Sequence, residues 1–356
     1  MSTPADEAAC LTPRQLLRQV QNPPNPWRST VVEHLGEPPE ATLEVFFDSS
    51  RQALSKNDSP DIPFTWSVNP YRGCYHGCAY CYARPTHEYL DFGAGTDFER
   101  KLVVKPEVAS LLRAAFDHPR WGGELVVFSG NTDCYQPLEA SWQLTRQCLQ
   151  VCLEYLNPIG IITKSTLVER DVELLAELAR ASFVTVCVSL PFADEDVARA
   201  LEPYAPAPAR RLKTIERLAK AGVPVGINLS PHIPGLNDGD IPTILRDARA
   251  AGATFANRTM LRLPGPVKEV FEQRLRLLLP LSADKVMNQI REAREGQISS
   301  ARFGERMRGT GKRWRMIDDL FQLAWQRHGY APMPAQPPSA FRRPERPRAQ
   351  LELGLG

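Results

Sequence analysis

The chain has 356 residues, 43% of them hydrophobic and 24% charged, and its formal net charge is +2. This length and composition are typical of a folded globular protein with a large buried core. So small a net charge does not imply an anionic partner for the molecule as a whole. No apolar run approaches the ~20 residues that span a bilayer. The acidic segment after Met1 lacks the pattern of a secretory signal, so we expect no membrane partner.

The eight cysteines are scattered irregularly, which argues against a disulfide framework and for a reducing compartment. We therefore predict a cytoplasmic protein. Two of them lie four residues apart in a helical pattern, and we interpret that pair as helix core. The cysteines are Cys10, Cys74, Cys78, Cys81, Cys134, Cys148, Cys152 and Cys187.

Residues 1–60 are rich in proline and polar side chains, and we predict a partly disordered N-terminal extension there. Over residues 61–264, short β-rich runs alternate with amphipathic helical segments. Helical spacing of the apolar residues is clearest over 138–156, 167–180 and 209–221. The six predicted strands are 64–69, 124–129, 159–164, 183–190, 223–230 and 253–263.

Strands that alternate with helices imply a parallel sheet with right-handed crossovers. The predicted fold class is α/β, a partial (β/α)6 TIM-like barrel over residues 61–264 with a helical C-terminal extension. In such barrels the reacting groups collect at the carboxyl ends of the strands. Polar residues that directly follow a predicted strand are therefore candidates for the functional site.

The part of the chain after the predicted barrel changes twice in character. Residues 265–330 are predicted to be helical, with an apolar stripe through Ile317, Leu320, Phe321 and Trp325. Residues 331–356 return to proline and arginine and are predicted to be a disordered basic tail. The run KRWR at 312–315 interleaves cations with an aromatic ring, as nucleic-acid surfaces do. A solvated helix face explains that run equally well.

Three cysteines lie within eight residues, with the spacing C-x3-C-x2-C: Cys74, Cys78 and Cys81. Three thiolates can hold a metal centre and leave one coordination position open, which is a feature of catalytic metal sites. A zinc site would need a fourth ligand, such as His76 or His87, and usually a second distant cysteine pair that this chain lacks. A thioredoxin-like redox pair would leave Cys74 unexplained.

This spacing, with the aromatic Tyr80 just before the last cysteine, resembles the signature of the radical S-adenosylmethionine (radical SAM) enzymes. The resemblance implies that Cys74, Cys78 and Cys81 bind a 4Fe–4S cluster, with one iron free to hold the amino and carboxylate groups of S-adenosylmethionine. It further implies reductive cleavage of S-adenosylmethionine to a 5′-deoxyadenosyl radical. An external electron donor, flavodoxin-like or ferredoxin-like, is the partner that this chemistry requires.

Other stretches between about residues 55 and 328 resemble the spore photoproduct lyase-related branch of these enzymes. The resemblance implies nucleic acid, or a lesion in DNA, as the leading substrate class. Radical modification of a protein or a small molecule, and a non-enzymatic metal-bound nucleic-acid-binding module, stay open as alternatives. The matching stretches are NPYRGC at 69–74, CYAR at 81–84, TKS at 163–165, LEP at 201–203 and IPGLN at 233–237.

Polar residues at the predicted strand ends are candidates for binding the cofactor. We expect the polar side chains after the second strand to receive the methionine ammonium. Ser189, after the fourth strand, is expected to contact the ribose or the carboxylate. By its position, Lys164 resembles the branch's lysine that contacts the cofactor carboxylate. Tyr82, next to the third cysteine, is a candidate to pack on adenine. The alternative is that Tyr82 is a buried tyrosine of the core. The candidates after the second strand are Ser129, Asn131 and Asp133.

Cys134 is the candidate catalytic residue, because photoproduct lyases use a cysteine near this strand end as a hydrogen-atom donor. Aligning Thr132 and Asp133 with that family's pattern, however, puts the donor position at Gly130. Cys134 is displaced from it by several residues. Two interpretations remain open for Cys134, a role in returning the radical and a small buried hydrophobic side chain.

Overall fold

The computed structural model describes residues 43–345 of the chain. Most of the predicted N-terminal extension, residues 1–42, and the end of the predicted tail, residues 346–356, lie outside this part. In chain order the strands are β1 (Glu44–Phe47), β2 (Leu54–Lys56), β3 (Trp66–Val68), β4 (Tyr71–Arg72), β5 (Lys101–Val104), β6 (Val126–Phe128), β7 (Ile159–Thr163), β8 (Val184–Ser189), β9 (Val225–His232) and β10 (Phe255–Met260).

Eleven α-helices accompany these strands within residues 43–345, together with 3-10 helices at Arg84–Leu90, Thr166–Asp171 and Asp238–Asp240. None of the helices in these residues has the length and hydropathy to cross a membrane. The α-helices are α1 (Thr96–Arg100), α2 (Val108–Asp117), α3 (Glu139–Trp142), α4 (Leu144–Tyr155), α5 (Val172–Ala181), α6 (Glu195–Leu201), α7 (Pro208–Lys220), α8 (Ile241–Ala250), α9 (Val267–Leu278), α10 (Pro280–Glu292) and α11 (Lys312–Arg327).

The central sheet has seven strands in the order β10-β9-β8-β7-β6-β3-β2. All neighbours are parallel except β2 and β3, which form an antiparallel pair. The six parallel strands are the six predicted from the sequence, and this α/β sheet confirms the partial barrel. A second sheet of three strands, in the order β1-β5-β4, is not predicted by the sequence.

The two faces of the central sheet differ in chemistry. One face packs on the helices and is apolar over β6, β7, β8 and β9, as expected for buried parallel strands. The alternate residues, which form the inner face of the sheet, are mostly small or polar. An inner face of this composition leaves room for a ligand. The apolar face includes Val126, Phe128, Ile159, Ile161, Val184, Val186, Val188, Val225, Ile227 and Leu229, and the inner face includes Ser67, Gly160, Thr185, Cys187, Ser189, Gly226, Asn228 and Ser230.

The predicted helix over 138–156 is two helices in the structure, α3 and α4. Gln143 lies between them with a left-handed backbone (φ 51°). The buried carboxylate of Glu139 accepts hydrogen bonds from the backbone N–H groups of Thr145 (2.9 Å) and Arg146 (3.2 Å), at the start of α4. These bonds satisfy N–H groups that a new helix leaves without partners, which stabilises the break.

The C-terminal region 265–330 contains three helices, α9, α10 and α11, and a non-helical loop at 297–311 that the sequence does not predict. The predicted apolar stripe on α11 packs as expected. Ile317 and Phe321 are buried in the main core, and Leu320 and Trp325 pack against it.

Residues 331–345 are ordered on the core, so the predicted disordered tail is wrong for this part. The Phe341 ring lies 6.0 Å from the rings of Phe116 and Tyr155. The Arg343 guanidinium donates hydrogen bonds to backbone carbonyls near the end of α2, including that of Trp121 (2.9 Å). Prolines prevent regular secondary structure here, but they do not prevent packing through single aromatic and cationic side chains.

Candidate active site

The three loop cysteines follow β4 and precede the 3-10 helix Arg84–Leu90. Cys74 and Cys78 are buried, Cys81 is half-buried, and none forms a disulfide. Burial raises the pKa of all three thiols, that of Cys78 to about 12. The charges of Cys78 and Cys81 add to the rise at Cys74, so the three sulfur atoms lie within electrostatic reach of one another.

Two buried arginines hold the backbone of the cysteine loop. Arg84 donates to the carbonyls of Cys78 (2.8 Å) and Gly77 (3.2 Å). Arg274, on α9, donates to the Gly77 carbonyl as well. Both guanidinium groups pair with the single buried carboxylate of Glu99. Two cations against one anion leave a net positive charge beside the thiols.

A second buried charged group lies on the other side of the loop. Glu202 forms an ion pair with Arg211 and accepts a hydrogen bond from the Tyr80 hydroxyl. The Lys164 Nζ lies 4.0 Å from a Glu202 carboxylate oxygen and 5.7 Å from the centre of the Tyr80 ring. Burial opposes the charge on Lys164, but the neighbouring Cys78 and Glu202 raise its pKa. Lys164 is therefore a charged group, and it shares its carboxylate with a second cation.

Asp133 connects the end of β7 to the cysteine loop. Its Oδ1 accepts hydrogen bonds from the Thr163 hydroxyl (2.7 Å) and the Tyr135 N–H (2.9 Å), and its Oδ2 accepts from the Lys164 N–H (2.8 Å). The His76 Nδ1 lies 3.4 Å from Oδ2. Burial alone would raise the pKa of Asp133, but His76 and these donors lower it to about 2. The carboxylate thus has its partners within the protein, in contrast to the expectation that it is free to receive the methionine ammonium.

Ser129 and Asn131 occupy the turn after β6. Ser129 has a left-handed backbone (φ 70°), which is uncommon for a residue with a side chain. Its hydroxyl accepts a hydrogen bond from the Cys134 N–H (2.8 Å), so the group that the sequence assigned to the cofactor also holds the backbone of this turn. Asn131 is held through its N–H by Asn69 (2.9 Å) and through its side-chain amide N–H by Thr86 (3.2 Å).

Tyr82 and Ser189 lie at different depths. The Tyr82 side chain is 49% exposed, and its hydroxyl donates to the Gly130 carbonyl (3.0 Å). Tyr82 is therefore not the core tyrosine of the alternative interpretation. Ser189 is buried at the end of β8, and its carbonyl accepts a hydrogen bond from Arg211 (3.0 Å).

Cys134 is fully buried in the main hydrophobic core. Of its two interpretations, this placement favours the small buried hydrophobic side chain over the catalytic one. Gly130, the aligned donor position, has no room for a side chain either. A Cβ atom there would lie 2.8 Å from the Cβ of Ser67, closer than side-chain carbons approach in proteins.

Several residues of this site are missed by sequence reasoning. Arg274 contacts the cysteine loop from 197 residues away in the chain, and no local pattern marks it. Arg211 reads as an ordinary basic residue on an amphipathic helix. Glu202 lies in a family-like stretch, but only its burial beside Lys164 and Tyr80 shows what it contacts.

The geometry fits an iron–sulfur cluster better than a single metal ion. In residues 43–345, no three His, Cys, Asp or Glu side chains are gathered closely enough to hold one ion. A cluster binds one thiolate per iron, so its cysteines surround a larger space. The excess positive charge of Arg84 and Arg274 over Glu99 complements thiolates that lose their protons on binding metal.

Known proteins resemble this chain in both sequence and fold. The family model described as Radical SAM superfamily matches residues 68–248. The uncharacterised protein Rv2578c of Mycobacterium tuberculosis (strain H37Rv) is 39% identical over 224 residues, which is 62% of this chain. The match covers 66% of that relative, so the chain spans slightly less than two thirds of its length. The uncharacterised protein MJ0683 of Methanocaldococcus jannaschii is 28% identical over 196 residues, 55% of this chain and 70% of that protein.

Solved structures of spore photoproduct lyase share the fold. The lyase complexed with dinucleoside spore photoproduct has a TM-score of 0.58 and 14% identity, over 80% of each chain. A variant with the same ligand has a TM-score of 0.58 and 15% identity, over 84% of this chain and 86% of that one. At this identity the likeness is one of fold, and it agrees with the partial barrel.

Proposed function

This chain belongs to the radical SAM superfamily, and we propose that Cys74, Cys78 and Cys81 bind a 4Fe–4S cluster whose fourth iron holds S-adenosylmethionine. The observation that carries the proposal is the set of three cysteines without disulfides on one short loop, which Arg84 and Arg274 fix through its backbone carbonyls. Such a cluster, when bound, supplies a 5′-deoxyadenosyl radical by reductive cleavage of S-adenosylmethionine, and the radical abstracts hydrogen from a substrate.

We propose that Lys164 binds the carboxylate of S-adenosylmethionine. Its support is the ammonium group beside Cys78, on a side chain that is 18% exposed, which shares the single carboxylate of Glu202 with Arg211 and so retains positive charge. A cation held in this way attracts an anionic ligand strongly because little water screens it. Glu202 then acts as a positioning residue, since it contacts Lys164 and not the ligand.

The other candidates take separate roles in this proposal. Asn131 donates a hydrogen bond to Thr86 in the 3-10 helix Arg84–Leu90. In this proposal its amide oxygen accepts a hydrogen bond from the methionine ammonium. Ser189 contacts the ribose, and the exposed ring of Tyr82 packs on adenine. Asp133 and Ser129 act through other groups in this proposal, because their oxygen atoms already fix the backbone N–H groups of Lys164 and Cys134.

Nucleic acid, or a lesion in it, is the substrate class that we propose, with the likeness in fold to spore photoproduct lyase as support. The crowded Gly130 and the buried Cys134 argue that the substrate radical is quenched without a protein thiol at the lyase position. Members of this superfamily need an external electron donor, and we propose a flavodoxin-like or ferredoxin-like protein. The seven unpaired cysteines in residues 43–345 fit the cytoplasm as its compartment.

The test of the cluster uses anaerobic reconstitution with iron and sulfide. Wild type should bind about four irons and four sulfides and form 5′-deoxyadenosine when S-adenosylmethionine and dithionite are added. Cys78→Ala should lose the cluster's visible absorption. Cys148→Ala, which removes a thiol buried in α4, is the matched control and should keep it. Stoichiometric zinc binding without 5′-deoxyadenosine would show that the proposal is wrong.

The test of Lys164 measures binding separately from turnover. Lys164→Met removes the charge and keeps the aliphatic stem, and it should weaken S-adenosylmethionine binding by about ten- to a hundredfold, the worth of one buried charge-assisted contact. Lys220→Met, at an exposed position on α7, is the control. Equal affinity in the two variants would remove Lys164 from the cofactor site.

A further inference from the structure

Arg262 is a half-buried cation that the protein itself does not neutralise. It follows β10, between Leu261 and Leu263, which are both buried in a hydrophobic cluster under α9 and α10. Its Nε is buried without a hydrogen-bond partner, and within residues 43–345 no carboxylate forms an ion pair with its guanidinium. An unpaired guanidinium at this depth costs stability, because the charge loses part of its hydration.

Arg274, Arg294 and Arg313 also have a buried Nε without a partner, but their terminal nitrogens donate to carbonyl or carboxylate oxygens. Arg262 differs from them because its guanidinium makes no hydrogen bond within residues 43–345. Arg84 donates to carbonyls of the cysteine loop and to Glu99. Arg294 donates to the carbonyls of Leu261 (3.0 Å) and Arg306 (3.1 Å), next to Arg262 itself. A structural explanation of Arg262 would require similar acceptors around its guanidinium.

Charges of both signs act on Arg262. Burial and the charge of Arg306 lower its pKa, whereas Tyr82 and Asp61 raise it. Arg306 forms the ion pair with Asp61, so Arg262 has no ion pair of its own.

Exposed aromatic rings accompany these cations. Tyr82 directly follows the third loop cysteine and is 49% exposed, and the charge of Arg262 acts against the rise in its pKa that burial causes. Phe303 is 60% exposed, and the Arg306 guanidinium lies 4.4 Å from the centre of its ring. Flat rings beside cations are the elements with which proteins bind single-stranded nucleic acids, through base stacking and phosphate contacts.

We propose that Arg262 binds a phosphate group of the substrate, with Phe303 as a stacking surface for the adjoining base. The guanidinium fork matches two phosphate oxygens, which suits Arg262 better than a point charge would. Arg262 is not needed for the cofactor carboxylate, because we assign that group to Lys164. The charge of Lys164 also lowers the pKa of Cys78 and Cys81. The inference rests on the proposed function and adds a phosphate subsite to it.

The experiment measures binding of a fluorescein-labelled single-stranded oligothymidylate to the reconstituted protein by anisotropy. Arg262→Gln should weaken binding about tenfold and reduce the slope of log affinity against log salt by about 1. Arg262→Lys should recover part of the loss. Phe303→Ala should weaken binding about fivefold or more, through lost stacking. Lys220→Gln, with the same charge change on an exposed part of α7, is the matched control.

The proposal would be overturned if Arg262→Gln and Lys220→Gln lost equal affinity for oligothymidylate. It would also be overturned if Arg262→Gln lost affinity for S-adenosylmethionine while its oligothymidylate binding was unchanged. A third contrary outcome is that inorganic phosphate binds at Arg262 and oligothymidylate does not. Thermal unfolding of each variant shows whether the fold is retained, and Arg262→Lys keeps the test valid if Arg262→Gln unfolds. Failure of the wild type to form 5′-deoxyadenosine would refute the proposed function and leave these binding results unaffected.

Discussion

Replacing Glu202 with glutamine tests the charged group behind the cysteine loop. The side chains of Glu202 and Arg211 are 0% and 1% exposed, so their ion pair has almost no contact with water. Glu202→Gln keeps the size of the side chain and removes its negative charge. Arg211, which is buried, and Lys164, whose side chain is 18% exposed, then remain as cations without this carboxylate.

The expected loss follows from the partners that remain. Breaking a buried ion pair by removing one charge costs about 3–5 kcal/mol. Arg211 retains hydrogen bonds to the carbonyls of Pro206 (2.7 Å) and Ser189 (3.0 Å), which places the loss near the lower end. We therefore expect the free energy of unfolding to fall by about 3 kcal/mol. Affinity for S-adenosylmethionine should fall as well, because Lys164 loses the group that holds it.

The assay is urea unfolding followed by far-UV circular dichroism, with wild type and variants at equal cluster loading. Glu216→Gln, the same substitution in an exposed pair with Lys220 on α7, is the control, and its midpoint should match that of wild type. A loss in Glu202→Gln below about 1 kcal/mol, or one equal to the control, would refute the reasoning that the pair is buried and that no other group replaces the lost carboxylate.

Three further substitutions test the tail, the crowded turn and the buried carboxylate. Phe341→Ala should lower the free energy of unfolding by about 2 kcal/mol, because its ring packs on the core; a change within error in urea unfolding would return residues 331–345 to the predicted disorder. Gly130→Ala should cost about 1–3 kcal/mol through overpacking. A double-mutant cycle with Ser67→Gly should recover part of that loss, and additive effects would contradict the 2.8 Å approach. The Asp133 pKa of about 2 lies below its ordinary 3.8, so the charge contributes about 2 kcal/mol above pH 4 that is lost as the pH falls towards 2. The gap between the unfolding midpoints of wild type and Asp133→Asn should then shrink as the pH falls from about 4 towards 2, and a gap that widens over this range would reverse the assigned sign.

The local patterns of the chain predicted the strands and the cysteine loop well. Runs of β-branched residues with helices between them placed six parallel strands to within a few residues, because burial on the helix face demands apolar residues there. The spacing of Cys74, Cys78 and Cys81 identified the loop, because the ligands of this site are close in sequence. Lys164 was found in the same way, as a cation directly after a strand.

Contacts between distant parts of the chain were not predictable. The sheet of β1, β5 and β4 joins three short segments, none of which has a strong pattern alone. Arg274 and Glu99 meet under the cysteine loop from 175 residues apart. The tail was predicted to be disordered from its prolines, whereas Phe341 and Arg343 find partners that no local rule reveals.

The sequence by itself determined the fold class, the family and the three thiols, because each depends on residues close together in the chain. Only the tertiary structure decided which polar groups are free for a ligand. Asp133 and Ser129 lie at strand ends as predicted, and their oxygen atoms accept hydrogen bonds within the protein. Arg262 carried no signal in the sequence, and the fold leaves its charge without a partner. The physical reason is that a hydrogen bond depends on distance in space, which a linear sequence does not specify.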